Sequence, residues 1–284
     1  MPELATSVDR LSEFIRGARR ILVFTGAGVS TGSGIPDFRG PSGIWTQRRP
    51  VYYQDFMTSD AARVEHWEYK LSGWTAFRDA RPNATHLAIV DLERAGKLLM
   101  LVTQNIDSLH SSAGSSSARL VELHGTNRLI ECQSCRQRYD PEPHFAEFAR
   151  THRPPVCHCG GFLKPATISF GQNLREDDLR RAFDAADETD FVVALGSTLS
   201  VYPAAEIPLQ AARNGTAYAI INRGATDHDG LPGVSLRIEG DVAETFPRPW
   251  PRQSLAKEPN AQCRQIQSFL VSRSSWRSSC SRPA

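Results

Sequence analysis

The chain has 284 residues, 40% of them hydrophobic and 23% charged, with 33 Lys and Arg set against 31 Asp and Glu for a net charge of +2. That near balance argues against a dedicated nucleic-acid surface, and no apolar run approaches the roughly 20 residues needed to cross a bilayer. Met1 to Asp9 lack a basic stretch followed by an apolar one, so no secretory leader is expected and a cytoplasmic location is the default, with nuclear residence left open.

Leu11, Phe14, Ile15 and Ala18 recur at helical spacing and predict a first helix. Ile21 to Phe24 is then the first of five apolar runs without alternation. The others are Leu98 to Val102, Phe191 to Leu195, Ala217 to Ile221 and Val234 to Ile238. Such runs suit strands buried on both faces. The fold expected is α/β, a Rossmann-like parallel sheet covered by helices. Ligands of such sheets bind at the carboxyl ends of the strands. Here those ends carry Gly26-Ala27-Gly28, Gln104-Asn105-Ile106-Asp107, Gly196-Ser197-Thr198, Asn222-Arg223 and Gly240-Asp241-Val242, which suit a nucleotide-like ligand.

The second strand begins far from the first. Between them lie a Gly- and Pro-rich stretch (Gly34 to Pro50), an aromatic-rich helical segment (Ala61 to Arg81) and a helix opening near Pro82-Asn83, with Asn83 or Thr85 as its cap. A second insertion, about Arg128 to Pro165, holds four of the six cysteines. The expected division is a discontinuous nucleotide-binding domain over 1–45, 84–127 and 166–250. A small domain is built from a helical insert (46–83) and a metal-binding insert (128–165). Beyond it, 251–284 reads as a basic, disordered tail.

The glycine loop after the first strand is expected to open a helix and to bring backbone N–H groups to a pyrophosphate. Thr31 replaces the third glycine of the dinucleotide fingerprint, and the acid expected after a second strand is missing. A tight turn without a ligand is the other reading. Asn105 and Asp107 fall two apart after an extended run and should share a face, with Gln104 on the opposite one. They can grip a carboxamide, polarise a water, or simply form an Asx-turn. His124, between a Leu and a Gly, is either structural or a general base. Cys132-x-x-Cys135 and Cys157-x-Cys159 offer four thiolates for a closed structural zinc site, with His158 as a conceivable substitute and a disulfide as the alternative.

Gly26 to Trp45 resembles the NAD-binding signature of the sirtuins, the NAD-dependent protein lysine deacylases. Thr103 to His110, Leu123-His124-Gly125, the two cysteine pairs, Phe170-Gly171, Gly196-Ser197-Thr198 and Asn222-Arg223 follow in that family's order, so the match spans about Leu11 to Phe246. The resemblance implies NAD as co-substrate, one structural zinc held by Cys132, Cys135, Cys157 and Cys159, and acyl-lysine proteins as substrates. His124 would deprotonate the nicotinamide ribose, so that the 2′-hydroxyl takes over the acyl group of an alkylamidate formed at C1′.

By the same resemblance, Asn105 and Asp107 are catalytic and line the nicotinamide pocket with Ile35 and Asp37, and Ile106 is among the cofactor-binding residues. Gln104 and Arg39 would contact ribose or phosphate, and Phe38 would cover C1′. Gly26, Ala27, Gly28, Ser30, Pro36 and Trp45 complete the NAD signature. Gly196, Ser197, Thr198, Asn222, Arg223 and Val242 would hold the adenosine half. The segment Leu163 to Gln172, with Gly171, would pair with the acyl-lysine peptide by strand addition, and Ile168 and Phe170 would line the acyl-lysine tunnel, although core packing is the other reading of both. Gln172 stands where a Glu is common.

Sirtuins that prefer succinyl or malonyl lysine carry a Tyr-x-x-Arg pair in the helical insert. Here Tyr69 is followed three positions later by Ser72 and not Arg, with Glu65 and Glu68 close by, so acetyl or longer apolar groups are expected over acidic ones. The Arg39-Gly40-Pro41-x-Gly43 variant resembles a branch with some ADP-ribosyltransferases. Protein mono-ADP-ribosylation is thus the first alternative, and a non-catalytic NAD-sensing module the second.

Overall fold

The computed structural model describes residues 2–37 and 49–246. Phe38, Arg39, Trp45 and the 251–284 tail lie outside the described residues. Helix α1 (Pro2–Gly17) buries Leu11 and Ile15 and stacks Phe14 on Phe191 at 5.3 Å. Strand β1 (Ile21–Thr25) is buried along its whole length. The expected helix after the glycine loop does not form. Two short 3-10 turns, Ala27–Val29 and Thr31–Ser33, take its place. Successive glycines and a Thr31 hydroxyl that donates to Gly28 O (3.0 Å) favour tight turns over a regular helix here.

Next come α2 (Tyr53–Thr58) and the long α3 (Asp60–Asp79), whose Ser59 cap accepts from Ala62 N. Helix α4 (Ala84–Arg94) starts at Asn83, which caps it through Thr85 N at 3.0 Å and also donates to Val29 O and Ser33 Oγ. The cap therefore ties α4 to the glycine loop. Strand β2 (Leu98–Thr103) and the short α5 (Leu109–Ala113) follow. Sequence reading missed β3 (Leu120–Glu122), because three residues carry no periodicity.

The cysteine insert contributes β4 (Gly125–Cys132), β5 (Arg138–Tyr139), α6 (Pro141–Thr151) and β6 (Leu163–Thr167). The chain then returns through α7 (Glu176–Glu188), β7 (Phe191–Leu195), α8 (Glu206–Arg213), β8 (Ala217–Asn222), β9 (Val234–Glu239) and α9 (Val242–Thr245).

Six strands form one sheet in the order β3-β2-β1-β7-β8-β9, and every pair is parallel. Helix-covered apolar strands such as Phe191 to Leu195 account for the unalternated runs. The order reverses between β1 and β7, and the crevice there is the expected ligand site. A second, antiparallel sheet runs β5-β4-β6. Its core joins the helical insert to the cysteine insert. Phe56, Trp67 and Trp74 pack with Phe145, Phe148 and Leu163, and Trp67 Nε1 donates to Leu163 O at 3.0 Å. Among the described residues no helix is long and apolar enough to cross a membrane.

Candidate active site

A cleft of about 790 Å³ opens over the carboxyl ends of the parallel strands and runs under α3 and the β6 exit. Its floor is a ledge made of backbone. Gly26 N–H donates to Leu195 O and Gly28 N–H to Gly196 O, both at 2.9 Å, locking the β1 turn onto the β7 turn. A Cβ on Gly28 would stand 2.8 Å from Gly196 Cα. Gly196 has φ +61, and its Cβ would meet Val29 N at 2.6 Å. These glycines serve interlocking first. The Gly26 and Gly28 N–H groups are held by carbonyls of the neighbouring strand end, while Gly26, Ala27 and Gly28 all line the cleft. Ala27, which opens the first 3-10 turn, keeps an N–H with no partner inside that turn.

Gln104 extends the ledge, with Nε2 donating to Ser197 Oγ at 2.8 Å. On the other side Asn105 and Asp107 converge on Ser30, as their spacing predicts. Asn105 Nδ2 donates to Gly26 O (3.0 Å) and Ser30 Oγ (3.2 Å), which leaves Oδ1 as the group that accepts. Ser30 Oγ donates to Asp107 Oδ2 at 2.7 Å, and Leu109 N donates to Oδ1 at 2.8 Å. The Asx-turn is therefore present as well. Burial pushes the Asp107 carboxyl up, against the pull of these bonds. Asn105, Ile106 and Asp37 line the cleft, whereas Ser30 and Asp107 stand behind its wall. Ile35 is buried with Phe77, Ala80 and Leu109, and Pro36 is exposed.

His124 enters the cleft on the turn from β3 into β4, half-buried. Its Nδ1 lies 3.0 Å from Gln104 O. A carbonyl accepts only, so Nδ1 carries the proton and the lone pair sits on Nε2. Gly125 follows with φ +71, and a Cβ there would fall 2.1 Å from Ala166 O. Only glycine lets β6 approach so closely behind the histidine. Ile168 N then donates to His124 O at 2.8 Å, joining the base to the segment read as the peptide-binding edge.

Ile168, Phe170 and Gly171 all line the cleft. Ile168 and Phe170 are half-buried, and Phe170 lies 6.1 Å from the Tyr52 ring. Gln172 closes the turn, its Oε1 accepting from Ser169 N at 3.1 Å. At the far end, Ser197, Thr198, Asn222, Arg223 and Val242 line the same cleft. Asn222 Nδ2 binds Arg223 O and Gly224 O, and Arg223 pairs with Asp241 at 2.8 Å.

Sequence reading passed over the α3 wall. His66 and Lys70 face the cleft one helical turn apart. Lys70 Nζ donates to Asn127 Oδ1 (3.1 Å) and Thr167 Oγ1 (3.3 Å), and burial lowers its ammonium from 10.5 to about 7. Burial likewise holds His66 well below its usual value. Both sit in register with the buried stripe Arg63, Trp67, Trp74 and Phe77. A polar residue in step with an apolar stripe was the available signal. Of the residues that sequence reading did weigh, Tyr69 lines the cleft and Glu65 touches it from an exposed position. Ser72 is exposed, its hydroxyl donating to Tyr69 O.

The four cysteines converge away from this cleft. Their sulfurs all lie within 4.8 Å of one another, with Cys132–Cys159 at 3.5 Å and Cys135–Cys157 at 3.7 Å. A tetrahedral Zn²⁺ with bonds of about 2.3 Å requires sulfurs about 3.8 Å apart, and a disulfide about 2.05 Å. The set fits one structural zinc ion. Ser134 N and Cys135 N donate to Cys132 Sγ, and the Tyr139 hydroxyl lies 3.0 Å from Cys157 Sγ, which favours thiolate there. His158 is exposed and stands outside the cluster.

A model of the Sir2 family matches residues 26–203. The chain is 40% identical over 244 residues to NAD-dependent protein deacetylase 1 of Bradyrhizobium diazoefficiens, which covers 86% of this chain and 95% of that one. It is 40% identical over 246 residues to the NAD-dependent protein deacetylase of Rhodopseudomonas palustris, at 86% and 96% coverage. Among solved structures it is similar to Sir2 with a p53 peptide and NAD+ (TM-score 0.75, 33% identity, 83% of this chain and 93% of that one). A Sir2 variant with a deacetylated p53 peptide and 3′-O-acetyl ADP-ribose gives TM-score 0.77 at 34% identity, with 84% and 95% covered. With the ordered strand-end motifs, the histidine at the cleft and the four-thiol cluster in place, the chain belongs to the Sir2 family.

Proposed function

We propose that this chain is an NAD-dependent protein lysine deacylase, with acetyl-lysine among its substrates. The amide C–N bond of the acyl-lysine breaks and an ester forms on the ribose 2′-oxygen. Nicotinamide leaves, one water is consumed, and the products are lysine, nicotinamide and 2′-O-acyl-ADP-ribose. Because the acyl group passes to ADP-ribose the enzyme is formally a transferase, and a cytoplasmic location goes with this reading. NAD supplies the activated ribose carbon and is consumed.

The observation that carries the proposal is the position of His124. One cleft joins the strand-end ledge to the Ile168–Phe170 wall, and the histidine stands at their junction with Nδ1 fixed on Gln104 O. The cleft lies within the usual size range of ligand sites. Here Nε2 takes the proton of the ribose hydroxyl as general base. Asn105 Oδ1 accepts from a water or carboxamide, while Ser30 and Asp107 fix its side chain from behind. Gln104 and Ser197 orient the ribose side. Asn222 and Val242 support the adenosine end, with Asp241 holding the Arg223 side chain beside it. In the same reading 46–83 and 128–165 form a small domain, supported by their shared aromatic core.

The test is to incubate the protein with NAD and an acetyl-lysine peptide and follow nicotinamide, peptide mass and acyl-ADP-ribose together. The three products are expected in equal amounts. His124→Ala should slow acyl transfer by about 10²–10⁴-fold, the usual worth of a general base, with unchanged melting temperature. Nicotinamide release with the peptide untouched would instead point to ADP-ribosyl transfer or NAD hydrolysis.

A further inference from the structure

The turn after β8 is held from behind by one side chain, Arg237 of β9. That side chain is 23% exposed and stands outside the cleft lining. Each of its five N–H donors has an acceptor. Nη1 donates to Asn222 O (3.1 Å) and Ile238 O (2.5 Å), Nη2 to Gly224 O (2.7 Å) and Glu239 Oε2 (2.9 Å), and Nε to Asp229 Oδ1 (2.8 Å). Two of these acceptors are carbonyls of the Asn222–Gly224 turn, and all three residues of that turn line the cleft. An arginine placed only to neutralise Asp229 and Glu239 would have no need of those carbonyls.

What the turn offers a ligand depends on these contacts. Asn222, 6% exposed, uses both Nδ2 protons on Arg223 O and Gly224 O, each at 3.0 Å, so its amide presents Oδ1 as an acceptor. Gly224 O therefore serves Asn222 and Arg237 together. Gly224 itself is left-handed (φ +84), and Glu239 Oε1 accepts its N–H at 2.7 Å. The same guanidinium also reaches toward the turn after β7. Asp229 accepts from Thr226 N (3.0 Å) and Thr226 Oγ1 (2.7 Å), and Asp227 N, between them, donates to Thr198 O at 3.0 Å. Arg237 thus holds one cleft-lining turn directly and braces a second through Asp229.

We propose that Arg237 is a positioning residue for the adenosine half of NAD. Acting through the Asn222–Gly224 turn, it holds the Asn222 amide ready to accept from a ribose hydroxyl, and it sets affinity for the dinucleotide without entering the chemistry. The inference rests on the NAD-dependent reading. A turn ordered beforehand spares the ligand the entropy cost of ordering it on binding. Asn222 ends β8, four strand positions from β3 and so roughly 19 Å across the sheet from the turn that carries His124. Loss of the clamp therefore weakens binding of the adenosine half and leaves acyl transfer at His124 unchanged. Lysine at 237 keeps the charge but offers its donors from a single atom, which cannot span Asn222 O, Gly224 O and Asp229 together.

The full chain, as wild type, Arg237→Met and Arg237→Lys, is titrated with ADP-ribose by calorimetry and assayed with an acetyl-lysine peptide at varied NAD. Arg237→Met should raise the Kd for ADP-ribose and the KM for NAD by about tenfold or more, and Arg237→Lys severalfold. The kcat at saturating NAD and the KM for peptide should stay within about twofold of wild type, the pattern of lost uniform binding. A fall in kcat with the KM for NAD unchanged marks a merely structural role and overturns the proposal. A Kd within about twofold of wild type in both variants overturns it too. If Arg237→Met does not fold, Arg237→Lys decides by the same criteria. Wild type that binds neither ADP-ribose nor NAD sinks the NAD reading itself, whereas wild type that binds ADP-ribose but deacylates no peptide sinks the deacylase reading and leaves Arg237 to be judged on Kd.

Discussion

The two halves of the cleft are built by different means. The ledge over β1 and β7 is backbone: Gly26, Gly28 and Gly196 let two strand-end turns touch, and the hydrogen bonds between them are main-chain. The α3 wall is side chain. His66, Lys70, Asn127 and Thr167 converge from a helix and two strands of the smaller sheet, held by the aromatic core around Trp67. A backbone ledge tolerates almost no change at its glycines, but it offers little to tell one ligand from a near relative. A side-chain wall can be revised one residue at a time. The ledge is thus fixed by main-chain contact, whereas the α3 side is built of side chains.

The largest break expected in this contrast is metal removal. The thiol cluster anchors β4 and the β5 turn, and Cys132 and Cys157 belong to the core that holds α3 in place. Coupling between a structural zinc and its fold is on the order of 10 kcal/mol. Elemental analysis should find one zinc per chain. A chelator should melt the smaller sheet and the α3 wall first, lowering the melting temperature and quenching the Trp67 and Trp74 fluorescence change on peptide binding. Full metal loss with an unchanged melting curve would show that the wall stands without it.

The ledge breaks at a single methyl group. In Gly196→Ala the new Cβ meets Val29 N and Gly28 in a left-handed conformation. Left-handed strain and overpacking together cost about 2–5 kcal/mol. Urea unfolding measures the loss, and a cost below about 1 kcal/mol would mean that the turns separate freely.

Legibility followed the same division. The five apolar strands β1, β2, β7, β8 and β9 of the parallel sheet, the Asn83 cap and the convergence of Asn105 with Asp107 could be read from short-range pattern, because each depends on nearest neighbours in the chain. Strand β3 escaped for want of length. The helix expected after Gly28 was misjudged because its glycines answer to Gly196, which lies far along the chain. Lys70 went unnoticed for the same reason: Asn127 and Thr167, which give its ammonium a place, come from another sheet. Helical spacing marks a residue as inward-facing, and only tertiary structure says what it faces.

A pair of buried histidines behind the end of β1 provides the smallest and most selective test. His86, on α4, lies 4.7 Å ring to ring from His110, whose Nε2 meets Thr25 Oγ1 at the end of β1. Burial lowers His86 from 6.5 to about 4 and holds His110 well below its usual value, so both are neutral in the folded state. Unfolding frees them to take up protons below pH 6.5. Their contribution is therefore intact above that value and is lost as pH falls toward the folded one. For His86 the loss by pH 5 is about 2 kcal/mol. Asp107 and Glu122, whose carboxyls burial pushes up, act in the opposite sense. Comparing wild type with His86→Leu by urea unfolding at pH 7 and pH 5 subtracts them. The variant should lose about 2 kcal/mol less on acidification. Equal losses would place the acid sensitivity outside this histidine pair and leave Asn83 as the link between α4 and the glycine loop.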